Sequence, residues 1–334
     1  MKALVLGFGS IGRRHASNLV LECDCDVSVF DVKSVDVSEL PDELASRVNI
    51  LDDLNSIGSG DFDFAVIATP NSCHLDNMKT MASNNINMFI EKPIASALVG
   101  LENIIEDIEE KNLLTMVACN MRFHPAAQRV KELIDSGSLG RIMVLSSEYG
   151  YYLPYQRPSV DYKTIYAASD DEGGIILDTI HEINLQRWFA GEVNSFECLG
   201  FKIGDLEISG YNYASANMLF EAGSIGEIHV DYLQKCKRRI YKIVFEGGTI
   251  TWESVGKKPE ICEVKVYRDV SACWESVFYS DSLDLNQVFI DEMKYFISCL
   301  NKQIPTFNDA REGIMDLKIA LGLKEKADKH RKGQ

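Results

Sequence analysis

Directly after a short apolar run at residues 3–6 the chain reads Gly7-Phe8-Gly9-Ser10-Ile11-Gly12, and a segment of helical periodicity follows at once. A GxGxxG alone is a weak signal, but between a strand and a helix it is the turn that holds a dinucleotide. Gly7 permits the tight turn, Gly9 lets a pyrophosphate approach the backbone, and Gly12 lets the helix pack on the strand. Phe8, Ser10 and Ile11 complete the loop, and the helix N-terminus offers unpaired N–H groups and a partial positive charge to the phosphates. Asp31 closes the second candidate strand, about 20 residues on, where a carboxylate accepts hydrogen bonds from ribose hydroxyls. It would repel a 2′-phosphate, which favours NAD, while Lys33 nearby leaves NADP open. Arg13, Arg14 and His15 read as a solvated helix face.

The first 120 residues alternate between short apolar runs and helical stretches. Candidate strands at 3–6, 26–30, 64–68, 88–90 and 115–119 are rich in Val, Ile and Phe with little period-two alternation, as strands buried on both faces are. Helical segments begin near Ile11 and His74 and run over 97–111, so strand–helix–strand repetition predicts a doubly wound parallel sheet. After a helix at 125–134 the pattern changes to strands at 142–149, 196–203, 214–220, 224–231, 240–245, 249–252 and 262–267, joined by turn signals such as Gly247-Gly248. One helix is expected at 175–189 and two more at 285–300 and 309–328. The expected architecture is α/β: an N-terminal Rossmann domain over 1–121, then an α+β domain over 122–334 with a large, open, mainly antiparallel sheet. The C-terminal helices are candidates to pack back on the first domain.

Composition narrows the function classes. The 334 residues carry 34 Lys+Arg and 50 Asp+Glu, a net charge of −16, which disfavours bulk binding to nucleic acid or to an anionic membrane. No run approaches the roughly 20 apolar residues of a membrane span. The N-terminus enters a strand without the apolar core of a signal peptide. The nine cysteines lack a Cys-x-x-Cys, mostly sit in apolar runs and read as reduced core thiols of a cytoplasmic protein, and no His completes a metal set around Cys23 and Cys25.

Further motifs follow in order: Ala68-Thr69-Pro70-Asn71 leading to His74, Glu91-Lys92-Pro93 after the next strand, and Asn120-Met121-Arg122-Phe123-His124-Pro125. Gly173-Gly174-Ile175-Ile176-Leu177-Asp178-Thr179-Ile180-His181 comes next, and the tail carries Pro305, Asp309-Ala310, Gly313 and Leu317. Together with the glycine loop they resemble the glucose–fructose oxidoreductase / inositol dehydrogenase / MocA family (Gfo/Idh/MocA) over almost the whole chain. Two departures stand out: Glu172 occupies the first of the family's three glycine positions, and Asp178 and His181 are three residues apart where four is commoner. Tyr152-Leu153-Pro154, Arg157-Pro158, Asp161-Tyr162 and Tyr166 resemble members associated with bacterial surface-polysaccharide and sugar-nucleotide pathways.

The resemblance implies an NAD(P)-dependent oxidoreductase acting on a sugar, sugar nucleotide or polyol. Lys92 stands where the C-terminal edge of the sheet meets the ligand crevice. Partly desolvated near a cationic nicotinamide, its pKa should fall, and it then hydrogen-bonds the reacting hydroxyl and helps move its proton. Glu91 orients or tunes Lys92, and the family implies a cis bond before Pro93 that aims the side chain. Asp178 and His181, at i and i+3, share a face if they lie on one helix, and an imidazole is suited to proton exchange near neutral pH. Lys92 and His181 are therefore the candidate proton-handling pair, either one the principal base, with Asp178 positioning substrate. Thr69, Pro70, Asn71, His74, Glu91 and Lys92 are assigned to the cofactor, although Asn71 also suits a helix cap. Arg122, Tyr152, Arg157, Tyr162 and Tyr166 join Lys92, Asp178 and His181 as candidate substrate contacts. The site is expected at the domain junction, and the family implies a homodimer or homotetramer through the open sheet face. Two rivals stand beside this reading: a redox-neutral NAD-dependent glycosidase or epimerase, and a non-catalytic NAD(P)-binding sensor.

Overall fold

Ala3, Leu4, Val5 and Leu6 are each at most 1 % exposed, as a strand covered on both faces must be. The computed structural model describes residues 1–35, 40, 42–170 and 174–332. It divides into two units, Met1–Cys119 with Phe289–Leu317, and Asn120–Val288 with Lys318–Gln334.

The first unit is built on six strands: β1 (Lys2–Leu6), β2 (Asp26–Phe30), β3 (Val48–Ile50), β4 (Phe64–Ile67), β5 (Asn87–Ile90) and β6 (Thr115–Val117). They pair in parallel in the order β3-β2-β1-β4-β5-β6. The order reverses between β1 and β4, whose neighbours run outward on opposite sides, so the loops after these two strands flank the crevice where such sheets bind ligands. Hydrogen bonds from Gly7 N–H to the Phe30 carbonyl (2.8 Å) and from Ala68 N–H to the Leu6 carbonyl (2.8 Å) carry the pairing into those loops. Three-residue β3 has too little sequence to show a pattern and was not expected. The segment 289–317 completes the unit. Phe296 packs edge-on against Phe64 and Phe89 at 5.3 and 5.6 Å. Asn308 pairs with the edge strand β6 through the Val117 N–H (2.8 Å) and the Val117 carbonyl (2.7 Å), closing an edge that would otherwise stay open.

The second unit is built on eight strands: β7 (Ile142–Gly150), β8 (Val193–Phe201), β9 (Tyr213–Phe220), β10 (Ile225–Asp231), β11 (Arg238–Phe245), β12 (Gly248–Gly256), β13 (Glu260–Arg268) and β14 (Cys273–Leu283). Their order is β14-β13-β12-β11-β7-β10-β9-β8, antiparallel throughout except for the parallel pair β7 and β10. Alternation along β9 to β13 points one set of side chains at the helices, and Tyr241 stacks on Trp252 there at 5.0 Å. The opposite face is open. The edge strand β14 was not expected from sequence because its exposed, polar run Cys273–Leu283 hides any alternation. The expected single helix over 175–189 is two helices, Gly174–Asp178 and His181–Ala190.

All nine cysteines are free; Cys25, Cys119, Cys198, Cys262 and Cys299 are buried, whereas Cys73, Cys236 and Cys273 are exposed and so are not core thiols. Among the described residues no helix is long and apolar enough to cross a membrane.

Candidate active site

The glycine loop is shaped by contact. A Cβ on Gly12 would lie 1.9 Å from the Gly7 carbonyl oxygen, and one on Gly7, whose φ is +87°, would meet the Ala68 carbonyl oxygen at 2.7 Å. Both positions therefore exclude every side chain. A Cβ on Gly9 would meet nothing within 4 Å. Gly9 precedes the helix Ser10–Glu22, and no side chain caps its first turn. Open space, uncapped N–H groups and a helix N-terminus at one point make a cradle for a pyrophosphate. Asp31 Oδ2 accepts the Phe8 N–H at 2.7 Å and its Oδ1 accepts the Lys33 N–H at 2.9 Å. The carboxylate thus holds the glycine loop as well as standing where a ribose would bind, with lone pairs to spare on each oxygen.

The loops after β4 and β5 are pinned by His74. This residue is fully buried, with Nε2 2.9 Å from the Thr69 carbonyl and Nδ1 3.1 Å from the Pro93 carbonyl. Burial pushes its pKa down, against the pull of those carbonyls. His74 thus ties the two loops together, a neutral ring donating to one of the two carbonyls. Thr69 Oγ1 accepts a 2.7 Å bond from Asn77, and the Pro70–Asn71 step opens the short turn Asn71–Cys73. Cys73 directly precedes the helix His74–Ser83 and its side chain does not cap it.

Lys92 is part-buried and the Lys92–Pro93 bond is cis. Beside it, Glu91 Oε2 accepts the Lys92 N–H at 3.2 Å, and Glu91 Oε1 lies 2.6 Å from His15 Nε2. Burial would raise the Glu91 carboxyl, but His15 and the Lys92 charge hold it below the usual range. His15 is 0 % exposed, so it is no part of a solvated helix face. Arg13 donates to the Phe8 carbonyl (3.2 Å) and Arg14 stacks on Phe289 (4.4 Å), so neither of them is merely solvated. Glu292 is also fully buried, accepts the Cys119 N–H at 2.5 Å, and is pushed well up by burial and by the Glu91 charge.

In the second unit, Asp178 accepts three tyrosine hydroxyls: Tyr166 on Oδ1, and Tyr151 and Tyr232 (3.2 Å) on Oδ2. Tyr151 and Tyr232 are buried, and burial followed by the Asp178 charge raises both phenols well above their ordinary value. Asp178 ends one helix and His181 begins the next, with Thr179 and Ile180 in the turn between. The two residues therefore do not share the face of one helix. Arg122 is buried, donates to Asn184 Oδ1 at 2.8 Å and stacks on Trp188 at 5.5 Å. It ties to the helix that begins with His181. The next residue of that helix, Glu182, is tied to Arg239 (2.9 Å) and to the Tyr241 hydroxyl, all three buried. Tyr152 lies under the Lys235 amine, Arg157 is exposed, and the Tyr162 hydroxyl accepts the Glu207 N–H at 3.3 Å. Glu172 and Gly173 lie outside the described residues.

Residues 1–119 match the oxidoreductase family with an NAD-binding Rossmann fold, and residues 127–251 match the Gfo/Idh/MocA C-terminal domain. The chain belongs to the Gfo/Idh/MocA family. It is an NAD-dependent oxidoreductase. It is 23 % identical over 99 % of its length, and 97 % of the other protein's, to myo-inositol 2-dehydrogenase of Thermotoga maritima. It is 26 % identical to scyllo-inositol 2-dehydrogenase (NAD+) of Bacillus subtilis over 68 % of this chain and 66 % of that one. Its fold is similar to that of levoglucosan dehydrogenase in complex with NADH and levoglucosan (TM-score 0.83, 18 % identity, 98 % and 97 % of the two chains). It is likewise similar to that of UDP-N-acetylglucosamine 3-dehydrogenase from Acidithiobacillus ferrooxidans (TM-score 0.78, 19 % identity, 98 % and 97 %).

The residues of this family member fit NAD: the space beside Gly9 would admit a pyrophosphate, and Asp31, just after β2, would meet the ribose. Sequence reasoning missed four residues. His15 anchors Glu91 from a neighbouring helix, and Glu292, far downstream, is buried within reach of the Glu91 charge. Tyr151 and Tyr232 hold Asp178, and only the end of an alternating strand marks them. No local spacing rule joins any of these residues to its partner.

Proposed function

We propose that this protein reversibly transfers a hydride between NAD and a hydroxyl-bearing carbon of a sugar, sugar nucleotide or polyol. The names of the relatives support a cyclic polyol or sugar as the substrate class. The observation that carries the reading is Lys92 held beside a buried, His15-anchored Glu91 in the unit that binds NAD. NAD supplies the hydride acceptor when bound. As hydride leaves carbon, the hydroxyl proton leaves oxygen, and one of the pair Lys92 and His181 receives it as principal base. Asp178, oriented by Tyr151, Tyr166 and Tyr232, holds a neighbouring hydroxyl. We assign the working form to a homodimer or homotetramer in the cytoplasm, joined through the open sheet face, where Leu199, Phe201, Leu219 and Ile225 are exposed.

The test is NADH formation from NAD over a panel of free sugars, polyols and nucleotide-linked sugars, with Lys92→Ala beside the parent. Loss of a proton-transfer group lowers kcat by about 10²–10⁴-fold, so the variant should fall by that much at saturating NAD. A parent that binds NAD but reduces none across the panel overturns the dehydrogenase reading. A relative named 2,7-anhydro-N-acetylneuraminate hydratase, 27 % identical over 39 % of this chain, favours a redox-neutral alternative, which predicts turnover without net NADH and without added NAD.

A further inference from the structure

The segments 151–157 and 233–239 in the second unit carry charges that hydride transfer does not use. Four of the five residues at 235–239 are basic in a chain whose net charge is −16. Lys235 Nζ lies 2.9 Å from the ring centroid of Tyr152 and 5.7 Å from that of Tyr155, and the two rings meet edge-on at 4.8 Å. Lys257 Nζ reaches the same short helix, Leu153–Gln156, donating to Gln156 Oε1 at 3.0 Å and to its carbonyl at 3.4 Å. Arg157 follows that helix and is exposed.

The acids of this region are committed elsewhere. Glu253 pairs with Arg238 at 2.8 Å, Glu260 with His124 and Lys237, and Asp231 with His229 and Gln234. Among the described residues no carboxylate pairs with Lys235 or Arg157. A lysine lying on an aromatic face keeps its charge and is steered without being neutralised. A lysine amine is a point-charge binder of phosphoryl oxygens, and an arginine grips them through its planar fork. Long-range repulsion from the acidic chain is screened beyond about 8 Å at physiological salt, so the local cations decide what binds here. The place matters as well: Tyr151, adjacent to Tyr152, and Tyr232, three residues before Lys235, both donate to Asp178.

We propose that Lys235, Lys257 and Arg157, on the platform of Tyr152 and Tyr155, form a subsite for a phosphoryl group carried by the substrate. This rests on the dehydrogenase reading and narrows it: the sugar whose hydroxyl meets Asp178 is phosphorylated or nucleotide-linked, and not a free polyol. The cation set would also accept a carboxylate, so the test separates the two anions.

With NAD saturating, kcat/KM is measured for a free hexose, its 1-phosphate, a UDP-hexose and a uronic acid, in the parent and in the Lys235→Ala/Lys257→Ala double variant. A phosphorylated substrate should exceed the free sugar by about tenfold or more, and the double variant and high salt should each erase that advantage. A parallel equilibrium dialysis follows inorganic pyrophosphate, again with NAD saturating so that the glycine loop is filled. Its affinity should drop about tenfold in the double variant and stay unchanged in Lys79→Ala, a surface control on the other unit. Equal turnover of the free sugar, preference for the uronic acid, or pyrophosphate binding that ignores the double substitution each overturns the subsite. If no sugar yields NADH, the dehydrogenase reading fails while the dialysis still decides the subsite.

Discussion

At the scale of single residues, the nucleotide half is set by contacts too close to alter. The Gly12 Cα approaches Gly7 so closely that even one methyl group, at 1.9 Å from a backbone oxygen, forces the loop to move. His15 works differently. It is buried against Glu91, and removing one partner of a buried pair leaves the other charged or unsatisfied, a loss of about 3–5 kcal/mol. We expect His15→Ala to lower unfolding free energy by that order in urea titrations and to weaken NADH formation, although the residue touches neither proton nor hydride. A variant as stable as the parent would show that Glu91 finds another partner.

At the scale of elements, the helix Ala310–Lys332 shows two effects opposed at one glycine. Replacing Gly313 by Ala gains about 1 kcal/mol of helix propensity. The new Cβ would lie 2.5 Å from Val117 Cγ2, and Val117 belongs to the short strand β6, with a stiff, branched side chain. Overpacking of this kind costs about 1–3 kcal/mol, so Gly313→Ala should be destabilising on balance, read as a lower Tm of the intact protein. A higher Tm would mean that β6 yields easily. The break between Gly174–Asp178 and His181–Ala190 belongs to this scale too. Thr179 N–H still bonds the Ile175 carbonyl, but Glu182 N–H takes the Thr179 carbonyl instead of continuing the helical ladder. That turn separates the directions of Asp178 and His181, which a spacing of three could not reveal.

At the scale of the whole molecule, buried titrating groups set the acid limit. Burial pushes His124 below 6.5, whereas Glu260, despite its burial, is held down to about 2 from 4.5 by His124 and Lys237. Both take up protons more readily unfolded than folded, so stability falls as pH falls. The His124 contribution starts to go below about 6.5 and that of Glu260 between 4.5 and about 2. At about 1.4 kcal/mol per pKa unit the Glu260 carboxylate is worth about 3 kcal/mol, part of it offset by the burial of Lys237. Urea midpoints should fall most steeply below pH 4.5, and Glu260→Gln should flatten that limb. Assembly is the second property at this scale. Ile225 and Leu219 sit opposite each other in the β10–β9 register on the open face, both exposed. An isologous interface repeats each contact in both directions, so Ile225→Asp should reduce the mass found by light scattering. A parent that is already a monomer, or a variant that is still an oligomer, contradicts the assigned interface.

Much was legible in the chain because its signals are local. The glycine loop, the unbroken apolar strands and the alternation of β9 to β13 each record short-range sterics or the burial of one face, and they were enough to read both folds. What stayed hidden depends on residues far apart in sequence. The pairing of His15 with Glu91, the burial of Glu292 near it, the three tyrosines around Asp178, and the cation over Tyr152 and Tyr155 arise only when distant segments meet. Local patterns carry propensity and burial. They do not carry which buried polar group finds which partner, because a hydrogen bond of about 2.6–3.2 Å is satisfied by the packing of the finished fold.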